Sequence, residues 1–311
     1  MAALENGLKI INVASVPQRS PFRYPGGKTW LIPYIRQWLS SRSRKPHQLI
    51  EPFAGGAIVG LTVAFERLAT FVQLIEKDED VAAVWHTLLN TDDGTWLADR
   101  IVSFEFTPER VREELDRPGS RLCVRERAFK TILRNRVQRG GILAQGAGVM
   151  KEGENGRGMA SRWYPETLHK RIMAILEVKS CITFQQGDGL QAIRDSARQP
   201  HVAFFIDPPY TVAGRRLYTH NQMNHPELFE SLAGAAGDFL MTYDDAKEIR
   251  DLACLHAFDT RLVPMKSTHH AEMTELIIGR DLSWLHIPDR YARVDGKSDV
   301  QICLDLQGDR L

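Results

Sequence analysis

The 311-residue sequence predicts an α/β protein: a sheet of largely parallel strands covered by helices on both faces, with a mainly helical insertion. Three observations carry that expectation. Short, nearly continuous apolar runs recur along the chain, as strands buried on both faces do. Helix-patterned segments stand between most of them, the alternation that builds parallel sheets. From about 91 to 174 the alternation lapses, leaving helical patterns, a basic run and a glycine-rich stretch but no strong strand.

The strand candidates in chain order are QLIEPF (48–53), FVQLIEKD (71–78), CITFQQGD (181–188), HVAFFID (201–207), DFLMTYD (238–244) and TELIIG (274–279). Helical spacing marks 57–69 and 79–90 after the first two, 225–236 before the fifth and 245–255 after it. The glycine-rich segment 139–163 is too long for an ordinary connection, and such loops are functional or disordered. VQICLDL, near the C-terminus, is a candidate edge strand. The domain reading is an N-terminal tail (1–20), a sheet domain from 21–90 and 175–311, and the insertion 91–174.

Hydrophobic residues make up 43% of the chain and charged ones 25%, enough for a core with an ordinary soluble surface. No apolar stretch reaches the length of a membrane span, and Glu5 and Asn6 precede the first short apolar patch, so the expected location is the cytoplasm. The cysteines (Cys123, Cys181, Cys254, Cys303) are scattered without a CxxC pair, which argues against a disulfide framework and against a zinc site; His269 and His270 are neighbours whose side chains do not converge. No metal is expected. The net charge of +1 excludes little, but its distribution is informative. Between 121 and 139, Arg121, Arg125, Arg127, Lys130, Arg134, Arg136 and Arg139 face only Glu126, with Asn135 and Gln138 among them as groups able to read base edges. That run is either a nucleic-acid surface or a solvated helix face.

Ligands of open α/β sheets bind beyond the carboxyl ends of the strands, and three of those ends are unusual here. LIEPFAGG closes a strand at Glu51 and turns through Gly55 and Gly56 into a helix. A carboxylate at that turn suits a ligand carrying positive charge. Glu76 closes the next strand, about where an acid bonds a ribose diol. Asp188 closes a third and can accept from an exocyclic amine. Together they outline a pocket for an adenosine-bearing, partly cationic ligand. The fourth end, FFIDPPYT (204–211), passes from a buried strand into Asp207 and two prolines. Proline donates nothing to the ladder, so the strand stops and the backbone stiffens. Asp207 and the Pro208 carbonyl then offer two acceptors to one amino group, with Tyr210 as a flat face beside them.

With these motifs in view, the sequence resembles the Dam-like, D12 class of DNA adenine-N6 methyltransferases. FRYPGGK (22–28), EPFAGG (51–56) and DPPY (207–210) look like three motifs of that family, in its order, with an insertion in the expected interval. The resemblance spans roughly residues 21 to 280 and implies a Rossmann-like methyltransferase sheet with a target-recognition insertion. It implies S-adenosylmethionine as methyl donor, bordered by Tyr24, Gly26, Gly27 and Lys28. Glu51, Phe53, Gly55 and Gly56 would line its methionine and sulfonium region, Glu76 its ribose and Asp188 its adenine. Asp207, Pro208 and Tyr210 would hold the target base, and Arg134, Asn135, Arg136 and Arg139 would meet double-stranded DNA. It also implies a prokaryotic or phage source and leaves room for a cognate restriction endonuclease. The chain departs from the pattern at its glycine turn, which reads Gly-Gly-Ala rather than a spaced pair of glycines.

Adenine N6 is a weak nucleophile, so acceptors at Asp207 and Pro208 would return electron density to it, and the base would have to leave the duplex to reach them. The loop 215–229, with Tyr218 and His220, is a candidate cover. Alternatives with the same fold act on cytosine N4 or on RNA adenine. A DNA-binding protein without activity is opposed by the intact Asp207, Tyr210 and glycine turn. A nucleotide-dependent oxidoreductase would have no role for Pro-Pro-Tyr.

Overall fold

A computed structural model of the protein describes residues 16–23, 27–143, 147–151, 153, 156–209, 223–266 and 272–286. Seven strands form one sheet: β1 (Gln48–Glu51), β2 (Phe71–Glu76), β3 (Ile182–Gln186), β4 (Val202–Ile206), β5 (Asp238–Tyr243), β6 (Asp259–Lys266) and β7 (Glu272–Gly279). Their order is β3-β2-β1-β4-β5-β7-β6. The first five run parallel, and β7 runs antiparallel to both β5 and β6. This is a doubly wound, Rossmann-like α/β sheet with an antiparallel pair at one end. After β3 the chain crosses to the far side of β1, so β1 and β4 flank the point where the strand order reverses, the usual ligand crevice of such sheets.

Ten α-helices are described: α1 (Ile32–Ser40), α2 (Ile58–Phe65), α3 (Glu79–Leu89), α4 (Thr91–Ser103), α5 (Pro108–Asp116), α6 (Val124–Val137), α7 (Pro165–Val178), α8 (Gly189–Ser196), α9 (His225–Ala233) and α10 (Lys247–Leu255). Polar side chains fix many of their starts. Asp78, Asn90 and Asp188 accept from the second and third amides of α3, α4 and α8, and Thr107 and Asn224 accept from the third amide of α5 and α9, each of which carries a proline in its first turn. No described helix is long and apolar enough to cross a membrane.

Period-2 alternation splits the sheet's side chains between two cores. Leu49, Ala203, Phe205, Leu240 and Ile277 join the core under α1 to α7, whereas Ile50, Phe204, Ile206, Met241, Leu276 and Ile278 join that under α8 to α10. The helices of the insertion are not set apart: Val111, Phe129, Ile132 and Ile172 belong to the first core.

The six expected strands are present, and β6 is a seventh that the apolar pattern did not mark. Among the described strands it pairs only with β7 and so forms the edge, and it carries Pro264, which an edge tolerates. VQICLDL, His269 and His270 lie outside the described residues. Cys254 is disulfide-bonded, contrary to the expectation from cysteine spacing, while Cys123 and Cys181 are free.

Candidate active site

Glu51, the residue after Ile206, and the strands beside them determine what reaches the crevice. Glu51 follows Leu49 by two positions, Asp207 follows Phe205 by two, Thr242 follows Leu240 by two, and Glu275 precedes Ile277 by two. Alternation therefore sends all four side chains to the face covered by α1 to α7. Ile206 pairs with Met241, so Asp207 lies one step beyond, opposite Thr242. Thr242 Oγ1 donates to Asp207 Oδ1 at 3.0 Å.

Lys28 enters from the short 3-10 turn Lys28–Leu31 that precedes α1. It is buried, with Nζ 3.2 Å from Asp207 Oδ1 and 2.6 Å from Glu275 Oε1. Burial disfavours its charge, but Asp207 and Glu275 together hold its pKa above the ordinary lysine value.

Glu51 is buried, and its Oε2 accepts from the Gly60 amide at 2.6 Å, a donor in the first turn of α2. A Cβ at Gly60 would stand 2.5 Å from that oxygen, so the close approach requires glycine. Burial raises the Glu51 carboxyl well above the usual range; the Gly60 amide opposes the shift and the nearby charge of Asp207 adds to it. Asp244, just past β5, is also raised by burial and by Asp207, with Lys28 pulling it down. Lys28 thus stands between Asp207 and Glu275 with Asp244 near enough to feel its charge, and Glu51 lies near enough to feel Asp207.

At the β2 end, Glu76 Oε2 accepts from Gly55 N at 2.9 Å, and Oε1 accepts from the amides of Lys77 at 2.8 Å and Asp78 at 2.9 Å. Burial raises its carboxyl while these amides pull it back. A carboxylate has about four acceptor positions, so three amides leave roughly one for a ligand hydroxyl. Gly55 takes a positive φ of 46°, and its carbonyl accepts from the Trp85 indole at 2.9 Å, which holds the turn against α3. Asp188 caps α8 and pairs with Lys77 at 3.0 Å, which lowers its carboxyl pKa against burial. Phe53 packs on the second core, and Pro208 is buried beside Asp207.

Of the expected site residues, Lys28 and Asp207 are therefore in contact, with Glu51 close enough to feel Asp207, while Glu76 and Gly55 are tied together along the same rim. Gly27 caps the 3-10 turn, and Gly56 continues the glycine turn. Tyr24, Gly26, Tyr210, Tyr218 and His220 lie outside the described residues. Thr242, Asp244 and Glu275 were not singled out from sequence. An acid inside the otherwise apolar TELIIG was the available signal, because a fully buried glutamate is rare unless paired.

The basic run has tasks that its composition did not disclose. Arg127 and Arg134 reach Asp80 on α3, Arg127 also reaches Glu79, and Arg125 pairs with Asp93 on α4. Asn135 is fully buried: Oδ1 accepts from Arg23 N at 2.8 Å, and Nδ2 donates to the carbonyls of Arg23 at 2.8 Å and Gly141 at 2.7 Å. Arg136 is buried and donates to the Pro21 carbonyl. Asn135 and Arg136 therefore clamp the segment leading into Lys28 instead of lining an outer face. Arg139 is exposed. Arg23, Arg136, Arg162 and Arg171 form a like-charged group beside that segment, and burial with the three neighbouring guanidiniums pushes Arg136 down to about 9.

Residues 24–71 match the family of D12 class N6 adenine-specific DNA methyltransferases. That match, which covers a short part of the chain, contains Lys28 and Glu51 and supports methyl transfer. No curated protein matches the chain. Among solved structures, the rRNA methyltransferase aviRa from Streptomyces viridochromogenes is similar in two determinations. One has a TM-score of 0.39 at 14% identity and the other 0.38 at 15%, each covering 89% of this chain and 96% of that one. A likeness of that size adds nothing to what the strand order establishes.

Proposed function

We propose that the protein is a site-specific DNA methyltransferase that moves a methyl group from S-adenosylmethionine to N6 of an adenine turned out of the duplex. The observation that carries this reading is the convergence of Lys28, Glu51 and Asp207 at the strand-order reversal, two of them inside the matched segment. The surrounding chemistry suits the donor. Acidic groups outnumber the single lysine at this rim, which favours a ligand bearing a sulfonium and an ammonium, and Glu76 retains room for a ribose hydroxyl. Glu51, Phe53, Gly55, Gly56, Glu76 and Asp188, with Gly27 and Lys28 and with Tyr24 and Gly26 preceding them, are the residues assigned to hold it.

When bound, S-adenosylmethionine supplies a methyl carbon that the N6 lone pair attacks while the carbon–sulfur pair stays on sulfur. The chain's contribution is positioning and electrostatics. Asp207 and the Pro208 carbonyl accept from the amine, and Tyr210 stacks on the base. Asp207 serves as an electrostatic partner, since the surplus proton can leave N6 for water after transfer. Residues 21–90 and 175–311 form the catalytic part and 91–174 the target-recognition part.

Of the residues assigned to DNA, Arg139 is the one whose side chain is exposed, where it can meet a phosphate. Single-molecule sequencing of DNA from cells that express the protein tests the reading. It predicts N6-methyladenine within one short sequence word, absent from cells expressing Asp207→Ala. Unmodified adenine in both would refute it.

A further inference from the structure

Lys28 touches two carboxylates, and one would neutralise it. The contact to Glu275 is the shorter, and the side chains of Lys28 and Glu275 are 5% and 4% exposed. Burying a third ionised group costs free energy that a neutral residue in β7 would avoid. The three charges come from separate segments: the turn before α1, the end of β4 and the antiparallel strand β7. Thr242 from β5 joins them, so that its hydroxyl and the Lys28 ammonium both meet Asp207 Oδ1. Two donors on one oxygen fix the rotation of the carboxylate before any substrate arrives.

We infer that Glu275 is a positioning residue that acts on Asp207 through Lys28, holding the lysine in place and adding one negative charge beside the amine-binding rim. Aspartate and lysine alone would form a neutral pair. With Glu275 the group carries one negative charge when all three are ionised. During transfer the positive charge moves from sulfur to nitrogen as the nitrogen–carbon bond forms and the carbon–sulfur bond breaks, and it stays on N6 until the proton departs. The added charge of Glu275 favours that arrival. The catalytic consequence rests on the proposed methyl transfer, whereas the linkage among the three side chains does not.

The experiment compares wild type with Glu275→Gln in two measurements. The first follows the Lys28 ammonium by NMR against pH in protein labelled with 15N-lysine, assigned with Lys28→Arg. Asp207 and Glu275 hold the charge on Lys28, Asp244 feels that charge, and Glu51 and Tyr243 feel the charge of Asp207. Removing one of the two contacting carboxylates leaves burial less opposed, so the titration midpoint should fall by about one pH unit or more. The second measures turnover on DNA beside donor affinity by calorimetry. Turnover should drop by about tenfold or more, the scale expected for one charge removed at this range, with donor affinity changed less than about twofold. Glu275→Asp, which keeps the charge, should recover part of both losses, and it supplies the same readings should the glutamine variant fail to fold. An unmoved Lys28 midpoint, or unaltered turnover, overturns the inference. Failure of wild type to methylate DNA would instead refute the proposed function, with the Lys28 titration still deciding whether Glu275 is linked to the site.

Discussion

Asn135 offers a sharp test of whether the basic segment faces inward. Asn135→Ala removes one acceptor and two donors at once, leaving the amide and carbonyl of Arg23 and the carbonyl of Gly141 without them. A buried backbone group that loses its partner costs about 1–3 kcal/mol. Arg23 is half-buried, so water can replace part of what its two groups lose, and the total should be near 3 kcal/mol. Urea unfolding followed by circular dichroism reads this as a lower midpoint with unchanged slope. The variant should also lose methyl transfer, since Arg23 leads directly into the segment that delivers Lys28. A loss below about 0.5 kcal/mol, the usual range of surface substitutions, would show that Asn135 faces solvent and that the clamp is wrong.

Further expectations concern the crevice and the outer face. Gly60→Ala puts a methyl group 2.5 Å from Glu51 Oε2 and 2.7 Å from a Leu74 methyl, and should cost about 1–3 kcal/mol of stability while weakening donor binding; an undisturbed calorimetric titration would count against it. Glu51 binds its proton more tightly folded than unfolded, so its contribution is fully present at acid pH and is lost as pH rises from the ordinary glutamate value to the raised one. Glu51→Gln should abolish that decline, making the variant relatively more stable at neutral pH, yet bind S-adenosylmethionine about tenfold or more weakly through loss of a charged partner. Parallel stability–pH curves would oppose this. Arg139→Ala, on an exposed side chain, should leave unfolding unaltered and reduce the slope of log affinity for DNA against log salt by about one; an unchanged slope removes Arg139 from the phosphate contacts.

The parts of this molecule that could be read from sequence are those governed by local pattern. Apolar runs ending at Glu51, Glu76 and Asp207 located three strand ends, because burial on both faces leaves a continuous apolar signature and a charged residue must sit at its edge. The order of those strands depends on crossovers that no local pattern encodes, so the pairing of β1 with β4 was not visible. β6 escaped because polar residues and Pro264 are acceptable on an edge. Lys28 was found only through resemblance, and its partner Glu275 stayed hidden, since a contact over more than 200 residues follows from topology alone. Thr242, which donates to Asp207 from the neighbouring strand, depended on the same unseen strand order. The charge run misled for a related reason. A list of arginines does not say where they point, and Asp80 and Asp93, which take three of them, lie on other helices. Asn135 was expected among base-reading groups, whereas its neighbours Phe129, Ile132 and Leu133 carry α6, and Asn135 with it, into the core.

The most direct measurement supplies purified wild-type protein and Asp207→Ala with isotopically methyl-labelled S-adenosylmethionine and, in parallel, duplex DNA and RNA, then identifies labelled nucleosides by mass spectrometry. The predicted result is labelled N6-methyldeoxyadenosine from wild type with DNA, and none from the variant. Label in RNA instead, on cytosine, or at equal levels in Asp207→Ala would contradict it.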